Sequence, residues 1–450
     1  MLFLNKCIGG VRMGAEKFKL VKYNNTYGSI MQFNKNKNTY IHGWYPFVEG
    51  YSKEFIKSII NEYENINSSL PSLCLEPFCG SGTTPLELQK LKINCKSFEV
   101  SPFMYNLAKA KMINSYTVKS FNKYYLKIEE YLKKPINNIN ELVVLNASKR
   151  IVEKDGLDKW NFDKETMDGI LDIRYAITKF NNSKYERLFN IALASILLDI
   201  SNVYRNGKCI SYKKNWKNHH VSRQEVHKKF LDKLKNVFLP DIIKINNYKK
   251  KQKLLSNSNN CYLGDVRKIL DKKVDDNSVD LIITSPPYLN SRDYTDTYMI
   301  ELRVLDYLKE DEDVRKLRKS TIRSHVQVKW DKSKTLDIKE LNESIKNLKK
   351  HKSNFWNKSL IDMIEGYFED MDNLFNIFYN KMKKGGLIFF NVANSAYYNV
   401  EIKTDEIIAE IAEKNGFIVK EIREARLITS SSQQKDKIGY LRESVIVIKK

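Results

Sequence analysis

The 450-residue sequence exceeds the usual span of one hydrophobic core and leaves room for a catalytic domain with one or two added modules. Its 77 Lys and Arg against 54 Asp and Glu give a formal charge of +23, which suits a polyanionic partner, although abundant Lys, Asn, Ile and Tyr also match an AT-rich coding sequence. No apolar run approaches membrane-spanning length, and Met1-Leu2-Phe3-Leu4 lacks the basic start and long apolar stretch of a signal peptide, so a cytoplasmic protein without a membrane partner is expected.

Residues 1–12 carry no assigned role, and Met13 offers an alternative start. The first strong pattern is strand, glycine turn, helix: Ser72-Leu73-Cys74-Leu75-Glu76-Pro77-Phe78, then Cys79-Gly80-Ser81-Gly82-Thr83-Thr84, then Pro85-Leu86-Glu87-Leu88-Gln89-Lys90. Gly80 and Gly82 permit a tight turn with close backbone approach to a ligand, and Thr83 or Thr84 can cap the helix. A glycine pair alone serves plain connections as often as ligand sites. A second strand-like run, Cys95–Val100, contains Glu99 near its end, where an acidic residue is placed to bind ribose hydroxyls. This half closes near residue 115, after the helix-like run Met104–Lys111.

Residues 116–259 alternate helical periodicity with polar stretches, and Leu188–Leu198 is apolar enough for a buried helix. Within this insert, Lys208–His220 interleaves basic and aromatic residues and is followed by Arg223, His227, Lys228 and Lys229. That mixture suits phosphate neutralisation with base or sugar contacts, and it equally suits an ordinary solvated loop and helix face. The sheet resumes at Cys261-Tyr262-Leu263. Val279-Asp280-Leu281-Ile282-Ile283 then reads as a buried parallel strand running out into a ligand crevice. It ends in Thr284-Ser285-Pro286-Pro287-Tyr288. Two consecutive prolines cannot donate to a ladder or start a helix, so the chain leaves the sheet extended, carrying a hydroxyl, free carbonyls and an aromatic ring.

That combination fits one kind of chemistry. The lone pair of an exocyclic amine on a nucleobase is delocalised into the ring until acceptors bind its hydrogens, and the Ser285 hydroxyl and the Pro286 carbonyl can be those acceptors. Asp293 and Tyr294 are candidate helpers or simply order the loop. A second charged, helical insert spans 301–371 and carries Arg318, Lys319, Arg323, Ser324, His325, Gln327, Lys329 and Trp330, after which 372–450 return to alternating strand and helix. The six cysteines form no CxxC pair and are expected to be reduced. His219, His220 and His227 come with neither a cysteine pair nor an HExxH pattern, so they read as a basic surface face rather than a metal site.

Glu76–Thr84 together with Thr284–Tyr288 resembles the amino-methyltransferases of DNA, which use S-adenosylmethionine. His42-Gly43-Trp44-Tyr45-Pro46-Phe47 is similar to the segment preceding their glycine turn, and Gly264-Asp265 to the acidic turn near the cofactor adenine. Lys384–Asn391 and Arg442–Ile448 are similar to their fifth and last strands. The resemblance covers most of the chain outside the two inserts. It implies an α/β fold: a class I, Rossmann-like S-adenosylmethionine-dependent methyltransferase core with a mostly parallel seven-stranded sheet. The organisation would be cofactor half (1–115), target-recognition insert (116–259), catalytic strand and loop (260–300), second DNA-binding insert (301–371) and closing core elements (372–450).

By the same resemblance, Glu76, Pro77, Phe78, Cys79, Gly80, Ser81, Gly82 and Thr83 surround the cofactor, Glu99 holds its ribose and Asp265 meets its adenine amino group. Tyr45 and Phe47 pack either on the cofactor or on the core. Ser285, Pro286, Pro287 and Tyr288 would carry catalysis on a base flipped out of the duplex. A serine before Pro-Pro-Tyr goes mainly with cytosine N4 methylation, aspartate or asparagine mainly with adenine N6. An RNA base methyltransferase and a non-catalytic DNA-binding subunit remain as alternatives. The expected partner is double-stranded DNA, contacted by Lys213, Lys214, Trp216, Lys217, Arg223, Arg292, Arg323, His325 and Lys329. A restriction endonuclease would be a separate protein, and no metal is expected.

Overall fold

A computed structural model describes residues 17–135, 150–207, 209–251, 255–290, 292–334, 336–431 and 434–450. The strands are β1 (Leu20–Lys22), β2 (Leu73–Glu76), β3 (Asn94–Glu99), β4 (Val203–Asn206), β5 (Cys209–Tyr212), β6 (Cys261–Leu263), β7 (Val279–Thr284), β8 (Met382–Ala393), β9 (Ser395–Tyr397), β10 (Val400–Ile402), β11 (Ile418–Thr429) and β12 (Tyr440–Lys449). Among the described residues, eight of them form one sheet in the order β1-β11-β12-β8-β7-β2-β3-β6. Only the β11–β12 and β12–β8 pairs are antiparallel. The expected mostly parallel α/β sheet is present, but the count of seven is corrected to eight. The extra strand is β1, which pairs parallel to β11 with Leu20 opposite Ile422. Three residues at an edge carry too little periodicity to be read from sequence.

The central strands are apolar on both sides because helices cover both faces. On one face, Leu281 and Ile283 of β7, Cys74 of β2, Phe389 of β8 and Val445 of β12 pack with Phe55, Ile56, Ile59 and Ile60 from the helix Lys53–Asn67. On the other, Leu75, Ile282, Phe390 and Ile446 pack with Met371 and Phe375 of the helix Leu360–Lys381 and with Ile407 and Ile408 of the helix Thr404–Lys414. The sequence after residue 115 forms long helices, Val118–Lys133, Lys164–Thr178, Ser183–Ile200 and Arg223–Lys233, with β4 and β5 as a two-stranded hairpin. Leu188 and Phe189 share a buried cluster with Phe103 and Leu107 of the helix Pro102–Met112.

The reading of three histidines as a basic surface face is corrected in part. His227 is buried, with Nε2 2.9 Å from Asp172 Oδ2, and Arg223 holds the same carboxylate. Only His220 is exposed, set against Asp163 and Glu165. Cys74, Cys79, Cys95 and Cys261 are buried free thiols. Among the described residues no group of three or more His, Cys, Asp or Glu is arranged to hold a metal ion, and no helix is long and apolar enough to cross a membrane.

Candidate active site

β2 ends on Glu76, whose side chain turns inward. Its Oε1 accepts from the Phe78 N–H at 3.0 Å and the Thr284 hydroxyl at 2.6 Å, and its Oε2 from the Thr84 hydroxyl at 2.8 Å and the Tyr51 hydroxyl at 2.9 Å. Burial pushes this carboxyl up to about 7 against the pull of those donors. At 1% exposure Glu76 ties β2, β7 and the next helix together and does not itself line the cavity that Pro77 and Phe78 border.

Gly82, at φ +81°, is the N-cap of the helix Thr83–Lys90, and no side chain caps that end. Capping by Thr83 or Thr84 is therefore corrected, since the Thr84 hydroxyl is committed to Glu76 and Tyr51. A Cβ on Gly82 would stand 2.9 Å from Ala108 Cα, so this glycine serves helix packing and does not border the cavity. Gly80, at φ +49°, does border it, and a Cβ there would meet only Phe47 Cζ at 3.4 Å. Glu99 braces the same turn: Oε2 accepts from the Gly80 N–H at 2.8 Å and Oε1 from the Ser101 N–H at 2.8 Å, while burial pushes the carboxyl up to about 7.

One cavity of about 450 Å³ joins this turn to the end of β7. Phe47, Pro77, Phe78, Cys79, Gly80, Ser81, Thr83, Glu99 and Asp265 border it on one side, and Ser285, Pro286, Pro287 and Tyr288 on the other. Asp265 also caps its own helix, accepting from the Arg267 N–H at 3.1 Å, with its carboxylate paired to the Arg267 guanidinium. Tyr45 is not at the cavity. Its hydroxyl donates to Glu301 Oε1 at 2.6 Å and accepts from Arg205 at 2.6 Å, within the core. Phe47 borders the cavity and stacks on Tyr298, with ring centres 6.0 Å apart.

At the Ser285–Tyr288 tip, the Tyr288 hydroxyl donates to Glu443 Oε1 at 2.7 Å, and Asn391 Nδ2 donates to Tyr288 Oη at 2.8 Å and to Ser285 Oγ at 3.3 Å. Arg426 pairs with the other oxygen of Glu443. Sequence reasoning took Asn391 and Glu443 only as strand residues and passed over Arg426 and Tyr298. Among them only Asn391, a polar residue within the apolar run of β8, carries a legible signal. Among the described residues, the buried polar atoms at this cavity without a hydrogen-bond partner include Ser81 Oγ, the Tyr298 hydroxyl and Asn391 Oδ1. Unpaired buried polar atoms are costly and mark where a ligand completes the bonding.

The candidate DNA contacts separate into three groups. Lys214, Lys217, Arg292 and Lys329 are exposed. Lys213 donates to the Asp199 carbonyl at 3.2 Å, and Trp216 packs against Tyr212 and Trp160. Arg223 is paired to Asp172 and Arg323 to Asp370 and Glu369, so both guanidinium groups are engaged within the fold. His325 is 1% exposed and borders the cavity, with Nε2 3.0 Å from the Thr321 hydroxyl. The second insert thus supplies part of the cavity wall. Asp293 caps Thr295 and pairs with Arg318, the loop-ordering role weighed for it, and the Tyr294 hydroxyl accepts from the Tyr288 N–H at 3.2 Å.

An open, mostly parallel sheet whose glycine turn after one strand and Ser-Pro-Pro-Tyr tip after its neighbour share one cavity is consistent with a Rossmann-like methyltransferase. No family model matches the chain. It is 27% identical over 475 aligned residues to Type II methyltransferase M.BsoBI of Geobacillus stearothermophilus, covering 94% of this chain and 88% of that protein. It is 29% identical over 417 residues to Type II methyltransferase M.AvaI of Nostoc sp., covering 87% and 82%, and 22% identical over 421 residues to Type II methyltransferase M.MvaI of Kocuria varians, covering 88% and 86%. These relatives, matched along most of their own length, support a place for the chain among the restriction-modification DNA methyltransferases.

Proposed function

We propose that the protein is a sequence-specific DNA methyltransferase of a restriction-modification system that methylates the exocyclic amine of a flipped base, with cytosine N4 as the target. The observation that carries this reading is the single cavity shared by the glycine turn and the Ser285–Tyr288 tip, because a methyl donor and an amine must meet within one enclosed space. The relatives named type II methyltransferases support the class of reaction. Ser285, rather than an acidic or amide residue, favours cytosine over adenine, and adenine N6 is the competing target.

The residues at the turn fit S-adenosylmethionine. Gly80 brings bare backbone to the cavity, Ser81 Oγ is an unpaired polar atom, and Glu99 keeps acceptor capacity beyond its two backbone N–H donors. Pro77 to Ser81 would hold the methionine and sugar, Glu99 the ribose and Asp265 the adenine amino group. When bound, S-adenosylmethionine supplies a methyl group activated on a sulfonium sulfur. Ser285 Oγ and the Pro286 carbonyl accept the hydrogens of the target amine, which localises its lone pair for in-line attack. Tyr288 offers its ring face to the base. The amine nitrogen would take the methyl group that the sulfonium gives up, and its surplus proton would leave for water. Lys214, Lys217, Arg292 and Lys329 remain as exposed cations for the phosphate backbone.

Incubating the protein with methyl-labelled S-adenosylmethionine and unmethylated DNA, followed by nucleoside mass spectrometry, tests the proposal. N4-methylcytosine is the expected product. N6-methyladenine would overturn the choice of base, and label appearing in RNA alone would overturn the choice of nucleic acid.

A further inference from the structure

We propose that Asn391 and Glu443, with Arg426 behind them, are positioning residues that fix the Tyr288 ring and the Ser285 hydroxyl for reaction, an assignment that rests on the methyl-transfer reading above. β8 and β12 are antiparallel neighbours, with Asn391 opposite Val445 and Ala393 opposite Glu443. By strand alternation, Leu387, Phe389 and Asn391 share one face of β8, and Val447, Val445 and Glu443 share the same face of β12. The apolar members of both rows lie in the core, and both rows turn polar where they reach the cavity. Arg426 stands directly opposite Glu443 because a bulge between Glu424 and Arg426 adds one residue to β11. Without that residue the alternation would send Arg426 to the other face.

The bonding within this cluster has a fixed direction. Glu443 Oε1 accepts from both the Tyr288 hydroxyl and Asn391 Nδ2, the latter at 3.3 Å, and Arg426 compensates the carboxylate. The Asn391 amide cannot be turned over, because its oxygen would then face the Glu443 carboxylate. Nδ2 therefore points at Ser285 Oγ and Tyr288 Oη. Receiving that bond leaves the Ser285 oxygen a second lone pair that can accept a hydrogen of the substrate amine. Tyr288 is tethered at both ends, its N–H on the Tyr294 hydroxyl and its own hydroxyl on Glu443, so the ring that would face the base is set before any base arrives. These side chains do not transfer the methyl group. They hold the groups that do, and a misplacement of about 1 Å costs roughly a hundredfold in such geometry.

The test compares the wild type, Tyr288→Phe, Glu443→Gln and the double variant. Cofactor affinity by calorimetry is expected to stay within about twofold of wild type, and kcat to fall about tenfold or more in each single variant with KM for DNA less affected. Because Glu443 acts through the Tyr288 hydroxyl, the double variant is expected to be no slower than the worse single one. Unchanged kcat in Glu443→Gln, or losses that multiply in the double variant, would overturn the proposal. If the wild type methylates no DNA, the reaction reading fails by itself. The anchor is then judged on thermal unfolding of the same four proteins: coupled Tm shifts retain it and additive shifts overturn it.

Discussion

Gly80 and Gly82 both have positive φ, yet only one faces the cavity, and alanine at each position separates packing from binding. In Gly82→Ala the new methyl costs about 1–2 kcal/mol for a left-handed backbone. It also presses on Ala108 at 2.9 Å, where the contact is backbone and cannot swing aside, for a further 1–3 kcal/mol, roughly. A loss of about 2–5 kcal/mol is therefore expected, seen as a lower urea midpoint by circular dichroism. Gly80→Ala carries the backbone term of about 1–2 kcal/mol with little added crowding, because Phe47 Cζ sits at 3.4 Å, an ordinary contact. Its methyl instead enters the cavity, so cofactor affinity by calorimetric titration should fall more per unit of lost stability than in Gly82→Ala. If the two variants exchange places, with Gly82→Ala stable but unable to bind, the division of labour drawn for this turn is wrong.

Ser285→Ala should leave cofactor affinity nearly intact while strongly lowering methyl transfer, and normal turnover in that variant would remove Ser285 from the reaction. Glu99, with a carboxyl pushed up to about 7 by burial, would hold the ribose hydroxyls proposed for it chiefly as the carboxylate, the stronger acceptor. Cofactor affinity should rise with pH through about 7, approaching tenfold per unit below it, and calorimetry on Glu99→Gln should show a flattened profile. The same raised value means that Glu99 contributes stability at low pH, present below the carboxyl's ordinary value of 4.5 and lost as pH climbs through about 7. Glu301→Ala would strand the buried guanidinium of Arg205, 2.5 Å away, and should cost about 3–5 kcal/mol in urea unfolding, whereas replacing both partners with apolar residues should restore most of it.

The elements that could be read from sequence are those whose chemistry is local. β7 is an unbroken apolar run between polar flanks, and the Pro-Pro that follows permits few conformations, so its place at the cavity was legible. The glycine turn was legible as a turn, but which glycine faced the ligand depended on where the helix Pro102–Met112 lies, a tertiary fact. Glu76 shows the same limit. An acid at a strand end reads as a ligand group until Tyr51, Thr84 and Thr284 are seen to converge on it. Arg223 and Arg323 read as phosphate contacts because their carboxylate partners lie 51 and 47 residues away in the chain. Asn391, Arg426 and Glu443 belong to three strands far from Ser285 in sequence, and no spacing rule connects them.

The pairing of β1 with β11 sets an order of assembly. Lys19 reaches Glu421 across a separation of 402 residues, so β1 cannot join the sheet during synthesis until β11 has emerged. β12, which lies between β11 and β8 and carries Glu443, is made later still. A nascent chain holding the glycine turn, β7 and β8 would have its cofactor residues in place while the Tyr288 hydroxyl still lacked its acceptor. The anchor of the Tyr288 hydroxyl thus waits for β12, which is made after the other seven strands of this sheet.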